Sequence, residues 1–203
     1  MTFDPTVFAL FESGVTGVAG AVDGWSEADW DRPACGEWSG TDLAGHLVTV
    51  IGWYHLWLDH GLAGVVEPGF GIDKLDAQTA AALAALPPGD GPSRIDQFVD
   101  AADRYGDRLV EPWDTPFAYP RGLVTAGLHA GVAAAEWHLH AWDFAQSRGE
   151  LYEPAQAREL YLAAARCQLT AAGGVTAKVG MAAASAASRR RPWAELLRHV
   201  GRT

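Results

Sequence analysis

The sequence predicts an all-α protein, a four-helix bundle with extra short helices and long loops, on three observations. Apolar residues recur at helical spacing in four long segments. Nowhere does apolar alternate with polar over the length of a strand. Breaks rich in Gly and Pro separate the periodic segments. At 203 residues the chain reads as a single domain over 1–203, and 49% apolar content with nine tryptophans suffices for one large core.

Asp4-Pro5 reads as an N-cap followed by proline in the first turn of helix one, whose apolar stripe is Val7, Leu10, Phe11, Val15, Val18 and Val22. Gly14, Gly17 and Gly20 weaken that helix or permit close approach of a neighbour. The stretch 24–40 carries Trp25, Trp30, Cys35 and Trp38 and is expected as an irregular segment folded back on the body. Ser39 or Thr41 caps helix two, which runs through about His60 with His46, Val50, Trp53 and Trp57 on one face. A loop at 61–71 and a short Ala-rich helix at 73–86 precede the strong break L-P-P-G-D-G-P. Helix three is expected from a cap at Ser93, with Ile95, Phe98, Val99, Ala102, Tyr105 and Leu109 inward. A proline-containing loop at 111–122 delivers the chain to a central helix from about Arg121 to Gly149. A further helix opens at Pro154, the small-residue run 173–188 resists assignment, and 193–200 forms a short amphipathic turn.

A net charge of −10 argues against a nucleic-acid partner held by phosphate neutralisation. No basic leader with an apolar core opens the chain, and no apolar run reaches a membrane span. Cys35 and Cys167 form no C-x-x-C and read as reduced thiols. The expectation is a soluble cytoplasmic protein without nucleic-acid or membrane partners, and a homodimer is left open.

The chemistry centres on A-A-A-E-W-H-L-H-A-W-D-F-A-Q, residues 133–146. On a helix Glu136 and His140 share one face about 6 Å apart at Cβ. Asp143 and His129 continue that face, whereas His138 points to the other side. A carboxylate and an imidazole on neighbouring turns are two ligands of a divalent-metal site that needs a third. The bland alternative, a solvated or hydrogen-bonded pair, is common for E-x-x-x-H. Burial of an unpaired carboxylate among Ala, Trp and Phe is costly and weighs against it. His46, near the start of helix two on its aromatic-lined face, supplies the third group. Three protein ligands with an open position are the arrangement of a catalytic zinc site.

At these residues a resemblance enters. W-S-E-A-D-W-D-R-P-A-C-G-E-W-S-G-T-D-L-A-G-H-L-V (25–48), E-W-H-L-H-A-W-D-F-A (136–145) and R-P-W-A-E-L-L-R-H-V-G-R (191–202) resemble the DinB-like, mycothiol-dependent maleylpyruvate isomerase N-terminal family, in particular its short single-domain members. The resemblance implies a DinB-like four-helix bundle with a divalent metal, commonly zinc (Zn2+), on His46, Glu136 and His140. It also implies a low-molecular-weight thiol, mycothiol or similar, as cosubstrate. The maleylpyruvate isomerase itself is similar only over its first domain and continues into a second.

A metal ion lowers the pKa of a thiol well below about 8.5, so a thiolate forms at neutral pH and attacks an electrophilic carbon. The outcome is S-transfer if the adduct persists, or cis–trans isomerisation if the thiol is expelled. Two rivals remain: hydrolysis by zinc-bound water, and a non-catalytic metal-binding bundle. Around the candidate ligands, Trp53 and Trp57 are expected as core that also walls the pocket. His129 is expected in the core or pocket wall. Asp143 either orients a ligand or bonds the backbone, with a structural role preferred. Arg121 either holds an anionic substrate or forms a surface salt bridge. Cys35 reads as a buried small residue with no activating charge nearby in sequence.

Overall fold

The structure is a computed structural model that describes residues 3–65, 75–120, 122–163 and 191–202. The expectations for Arg121, Cys167 and the run 173–188 fall outside those residues. The fold is an all-α helical bundle, as the sequence predicts. None of the described helices is long and apolar enough to cross a membrane.

Helix α1 (Pro5–Ala21) starts where Asp4 accepts hydrogen bonds from the backbone N–H groups of Thr6 and Val7, at 2.9 and 3.3 Å. Its buried stripe is Leu10, Phe11, Val15 and Val18. A Cβ on Gly14 would lie 2.9 Å from Trp137 Cβ and 3.3 Å from the Ala134 carbonyl oxygen. The glycine therefore lets α1 lie almost backbone to backbone on the central helix, α6 (Ala126–Ser147).

The stretch expected to be irregular contains a one-turn helix, α2 (Glu27–Trp30), and a small antiparallel hairpin of β1 (Pro33–Cys35) and β2 (Trp38–Ser39). Trp25, Trp30 and Phe144 form one aromatic cluster with ring centroids 4.8–6.4 Å apart. That cluster fastens the segment to the end of α6.

Helix α3 (Gly40–Leu62) is capped by Ser39, whose hydroxyl accepts from Asp42 N–H while the Asp42 carboxylate accepts from Ser39 N–H. A short α4 (Leu75–Ala85) leads to α5 (Gly91–Val110). The cap of α5 is Asp90, not Ser93. Pro92 has a fixed helical φ and no N–H to satisfy, so it belongs in the first turn and pushes the cap upstream. Ser93 instead donates its N–H to Asp90 at 2.8 Å.

The loop expected at 111–122 holds a second hairpin, β3 (Pro116–Tyr119) paired with β4 (Gly122–Thr125), in which Phe117 faces Val124 and both are buried. Consequently α6 begins at Ala126, capped by Thr125, rather than near Arg121. Helix α7 begins at 157 and is described as far as 163, and α8 (Pro192–His199) closes the described chain.

The four long helices form two intimate pairs. α1 lies along α6 and α3 lies along α5, while α3 and α6 touch each other sparingly. Leu43, Leu47, Ile51, Phe98, Tyr105, Trp137 and Phe144 fill the shared core. The first turns of α3 and the middle of α6 are thus left facing one another across a seam.

Candidate metal centre

His46 from α3 and Glu136 and His140 from α6 meet in that seam. One ligand atom from each lies within 4.8 Å of the others. Glu136 Oε1 stands 3.9 Å from His46 Nε2 and 4.0 Å from His140 Nε2, and the two imidazole centroids are 5.0 Å apart. These separations are too long for hydrogen bonds. The three donors therefore converge without satisfying one another. Helical geometry accounts for the Glu136–His140 half of the arrangement, since residues four apart are neighbours on the helix surface.

Each group has its own outer contact. Tyr54, fully buried on α3, donates its hydroxyl to Glu136 Oε2 at 2.5 Å, which leaves Oε1 toward the histidines. Burial pushes the Tyr54 phenol well above its usual 10, with the Glu136 carboxylate adding to the effect, so it stays a donor. His140 Nδ1 lies 2.9 Å from Asp143 Oδ2. An ionised carboxylate only accepts, so Nδ1 carries a proton, and Nε2 is the nitrogen that faces Glu136. Burial alone would raise the Asp143 carboxyl; hydrogen bonds from Arg202 and His140 outweigh it and hold the group below the usual range.

The Trp38 ring lies against the His46 imidazole, centroids 4.8 Å apart. Among the described residues, buried His46 Nδ1 has no hydrogen-bond partner. Burial, then the neighbouring His140 and Arg202, push its pKa down to about 3, against an opposing effect of Asp143. A neutral imidazole keeps its lone pair, which suits a metal ligand. Two imidazoles and a carboxylate, converging but not bonded together, fit the donor set of a divalent-metal site.

The other expected residues take different places. His129 is completely buried two turns before Glu136, shares a 2.7 Å hydrogen bond with the Tyr105 hydroxyl, and lies among the rings of Tyr54, Phe117 and Tyr119. It does not join the three-group set. His138 turns toward α1, where its two nitrogens meet Ser13 Oγ at 3.2 Å and the Tyr152 hydroxyl at 2.5 Å. Trp57 is buried and Trp53 half-buried, their rings stacked at 6.0 Å. Trp57 also contacts Tyr54, one ring removed from Glu136. Asp143, placed on the ligand face by its spacing, bonds His140 and Arg202 side chains rather than backbone.

Three residues at the centre escaped the sequence reading. Tyr54 looks like core until its hydroxyl is traced, and Trp38 belongs to a two-residue strand without periodicity. Arg202 bonds Asp143 from 59 positions away, and nothing in the local pattern ties the two. Cys35 has a positive neighbour after all, Arg202 Nη2 at 3.9 Å, yet burial and then Asp143 push its thiol pKa up. The inert reading of that thiol agrees with this surrounding.

A helical bundle with two histidines and a glutamate converging from two facing helices defines a class, the DinB-like bundles with a candidate metal centre. The chain matches the family model of the mycothiol maleylpyruvate isomerase N-terminal domain over residues 11–145 and belongs to that family. The match runs from within α1 to the end of the Glu136–Ala145 motif. No curated protein and no solved structure matches the chain.

Proposed function

We propose that this protein is a divalent-metal-dependent enzyme that uses a low-molecular-weight thiol, mycothiol or a close analogue, for S-transfer to, or isomerisation of, a small electrophilic substrate. The observation that carries the reading is the convergence of His46 Nε2, Glu136 Oε1 and His140 Nε2 within 4.8 Å, and membership of a mycothiol-related family supports it. Those three residues would hold the ion, zinc being the favoured one for nitrogen and oxygen donors with an open position. When bound, the ion supplies the positive charge that keeps a thiol in its thiolate form at neutral pH.

The chain's own residues do the rest. Glu136 offsets one of two positive charges, so a thiolate is stabilised without being trapped. Tyr54 fixes the Glu136 carboxylate, and Asp143 fixes the ring and tautomer of His140. Trp38 and, on α3, half-buried Trp53 offer aromatic surface to an apolar electrophile, with buried Trp57 backing Trp53. In S-transfer the sulfur forms a bond to carbon, the thiol proton is released and a leaving group departs. In isomerisation the same sulfur adds to an unsaturated carbon and is expelled after rotation about the resulting single bond.

The test follows adduct formation between mycothiol and a chlorinated or an unsaturated electrophile, with chelator-stripped protein as control. The expected result is thiol-dependent turnover that is lost with the metal and restored by zinc. Unchanged rates after metal removal would refute the mechanism. Turnover without any thiol would favour a hydrolase that uses the open position for water.

A further inference from the structure

We infer that Arg202, outside the stretch that matches the family, is a positioning residue of the metal centre, acting on His140 through Asp143. The inference rests on the metal-site reading of His46, Glu136 and His140.

Arg202 makes a two-pronged ion pair with Asp143, Nε to Oδ1 at 2.7 Å and Nη2 to Oδ2 at 2.7 Å. Two parallel N–H···O bonds fix the plane of a carboxylate, whereas a single bond leaves it free to pivot. Asp143 is 3% exposed, so water does not do that work instead. Fixed in this way, Oδ2 accepts the Nδ1 proton of His140 at 2.9 Å, and Nε2 is aimed at Glu136 Oε1. Partners that hold the far nitrogen of a ligating histidine set its tautomer and ring plane, and their loss costs metal affinity.

The local chain is built to deliver this guanidinium. Helix α8 ends in Gly201, whose φ of +77° lies in the left-handed region, with Gly201 N–H bonded to the Arg198 carbonyl and Arg202 N–H to the Leu197 carbonyl at 2.8 Å. This six-to-one closure turns the backbone back at the helix end and sends Arg202 inward. α8 itself is anchored by Trp193, buried and donating its indole N–H to the Tyr152 carbonyl at 3.0 Å, and by buried Leu196. Arg202 Nη2 also reaches Cys35 Sγ at 3.9 Å, on the hairpin that leads into α3. The C-terminal turn therefore touches both sides of the seam that carries the candidate ligands.

The experiment uses the full-length chain and two variants, Arg202→Gln and Arg202→Lys. Zinc affinity is measured by competition with a chromophoric chelator, the visible bands of the cobalt(II)-loaded protein report ligand geometry, and thermal unfolding of metal-free protein reports stability alone. Arg202→Gln is expected to lose roughly 10- to 100-fold in zinc affinity and to shift the cobalt bands, and Arg202→Lys to recover part of both. Should the glutamine variant not fold, the lysine variant carries the test, since an ammonium with its donors on one nitrogen lacks the planar fork that fixes the carboxylate plane, and a smaller loss with shifted bands is still expected. Wild-type affinity and wild-type bands in the folded variants would overturn the inference, however far the unfolding temperature falls. A wild-type chain that takes up neither metal would overturn the metal-site reading together with it.

Discussion

Acid should destabilise this protein through histidines that the fold keeps neutral, and His129 isolates the effect. It is 0% exposed, and burial pushes its pKa from 6.5 down to about 3. The unfolded chain takes up a proton near 6.5, so between about 6.5 and 3 the unfolded state holds one proton more than the folded one. Stability is then complete above the unfolded value and falls as the pH drops toward the folded one. The slope is about 1.4 kcal/mol per pH unit, which integrates to roughly 2 kcal/mol from pH 7.5 to pH 5. His138, pushed down to about 4 by burial, adds a similar loss over nearly the same window. Urea unfolding at pH 7.5, 6 and 5 in chelator, for wild type and His129→Phe, separates one histidine from the rest. The substitution orphans the Tyr105 hydroxyl, a constant cost across this range because burial holds that phenol well above 10. The wild type should therefore lose about 2 kcal/mol more than the variant between pH 7.5 and 5. Parallel curves would refute the reasoning, because they would mean that His129 is protonated in the folded state or reached by water.

Tyr54→Phe keeps the buried ring and removes only the hydroxyl that holds Glu136; zinc affinity in a chelator competition should fall about 10-fold or more with the helical circular dichroism unchanged. Glu136→Gln should lower the metal content of purified protein and slow thiol-dependent turnover while the protein still unfolds cooperatively. Gly61→Ala would put a Cβ 2.6 Å from the Ala118 carbonyl oxygen and 2.9 Å from Ala118 N, backbone atoms that cannot step aside, and should cost about 1–3 kcal/mol in urea unfolding. Gly20→Ala, near the end of α1, meets nothing within 4 Å among the described residues and should instead stabilise by up to about 1 kcal/mol; equal effects of the two substitutions would contradict the packing described.

The long helices were legible because each must bury one stripe, and a stripe of Leu10, Phe11, Val15 and Val18 leaves its period in the sequence. The Glu136–His140 half of the candidate site was legible for the same reason, since helical spacing alone decides which side chains face together. His46 was suggested by its place among tryptophans, a weaker guide. The hairpins were not legible. Four-residue strands such as 116–119 are too short to show alternation, and three prolines nearby mimic a loop. Their pairing is decided by Phe117 and Val124 finding the core. Arg202 could not be assigned either, because an ion pair across 59 residues depends on where α8 docks, and docking has no local period.

The sparing contact between α3 and α6 has a consequence for how this architecture diversifies. Each of these helices draws its support from its own companion, α5 or α1, so the side chains that face the seam are not what holds the two pairs of helices upright. Trp38 and Trp53 are half-buried, the first against the His46 ring and the second stacked on Trp57, so substitutions there couple to those neighbours. Under the proposed function, drift at those positions would change the shape and polarity of what can enter, while Gly14 against Trp137 and Phe98 against the same indole hold the frame. On that proposal, selection on substrate and selection on stability would fall largely on different residues of one small bundle.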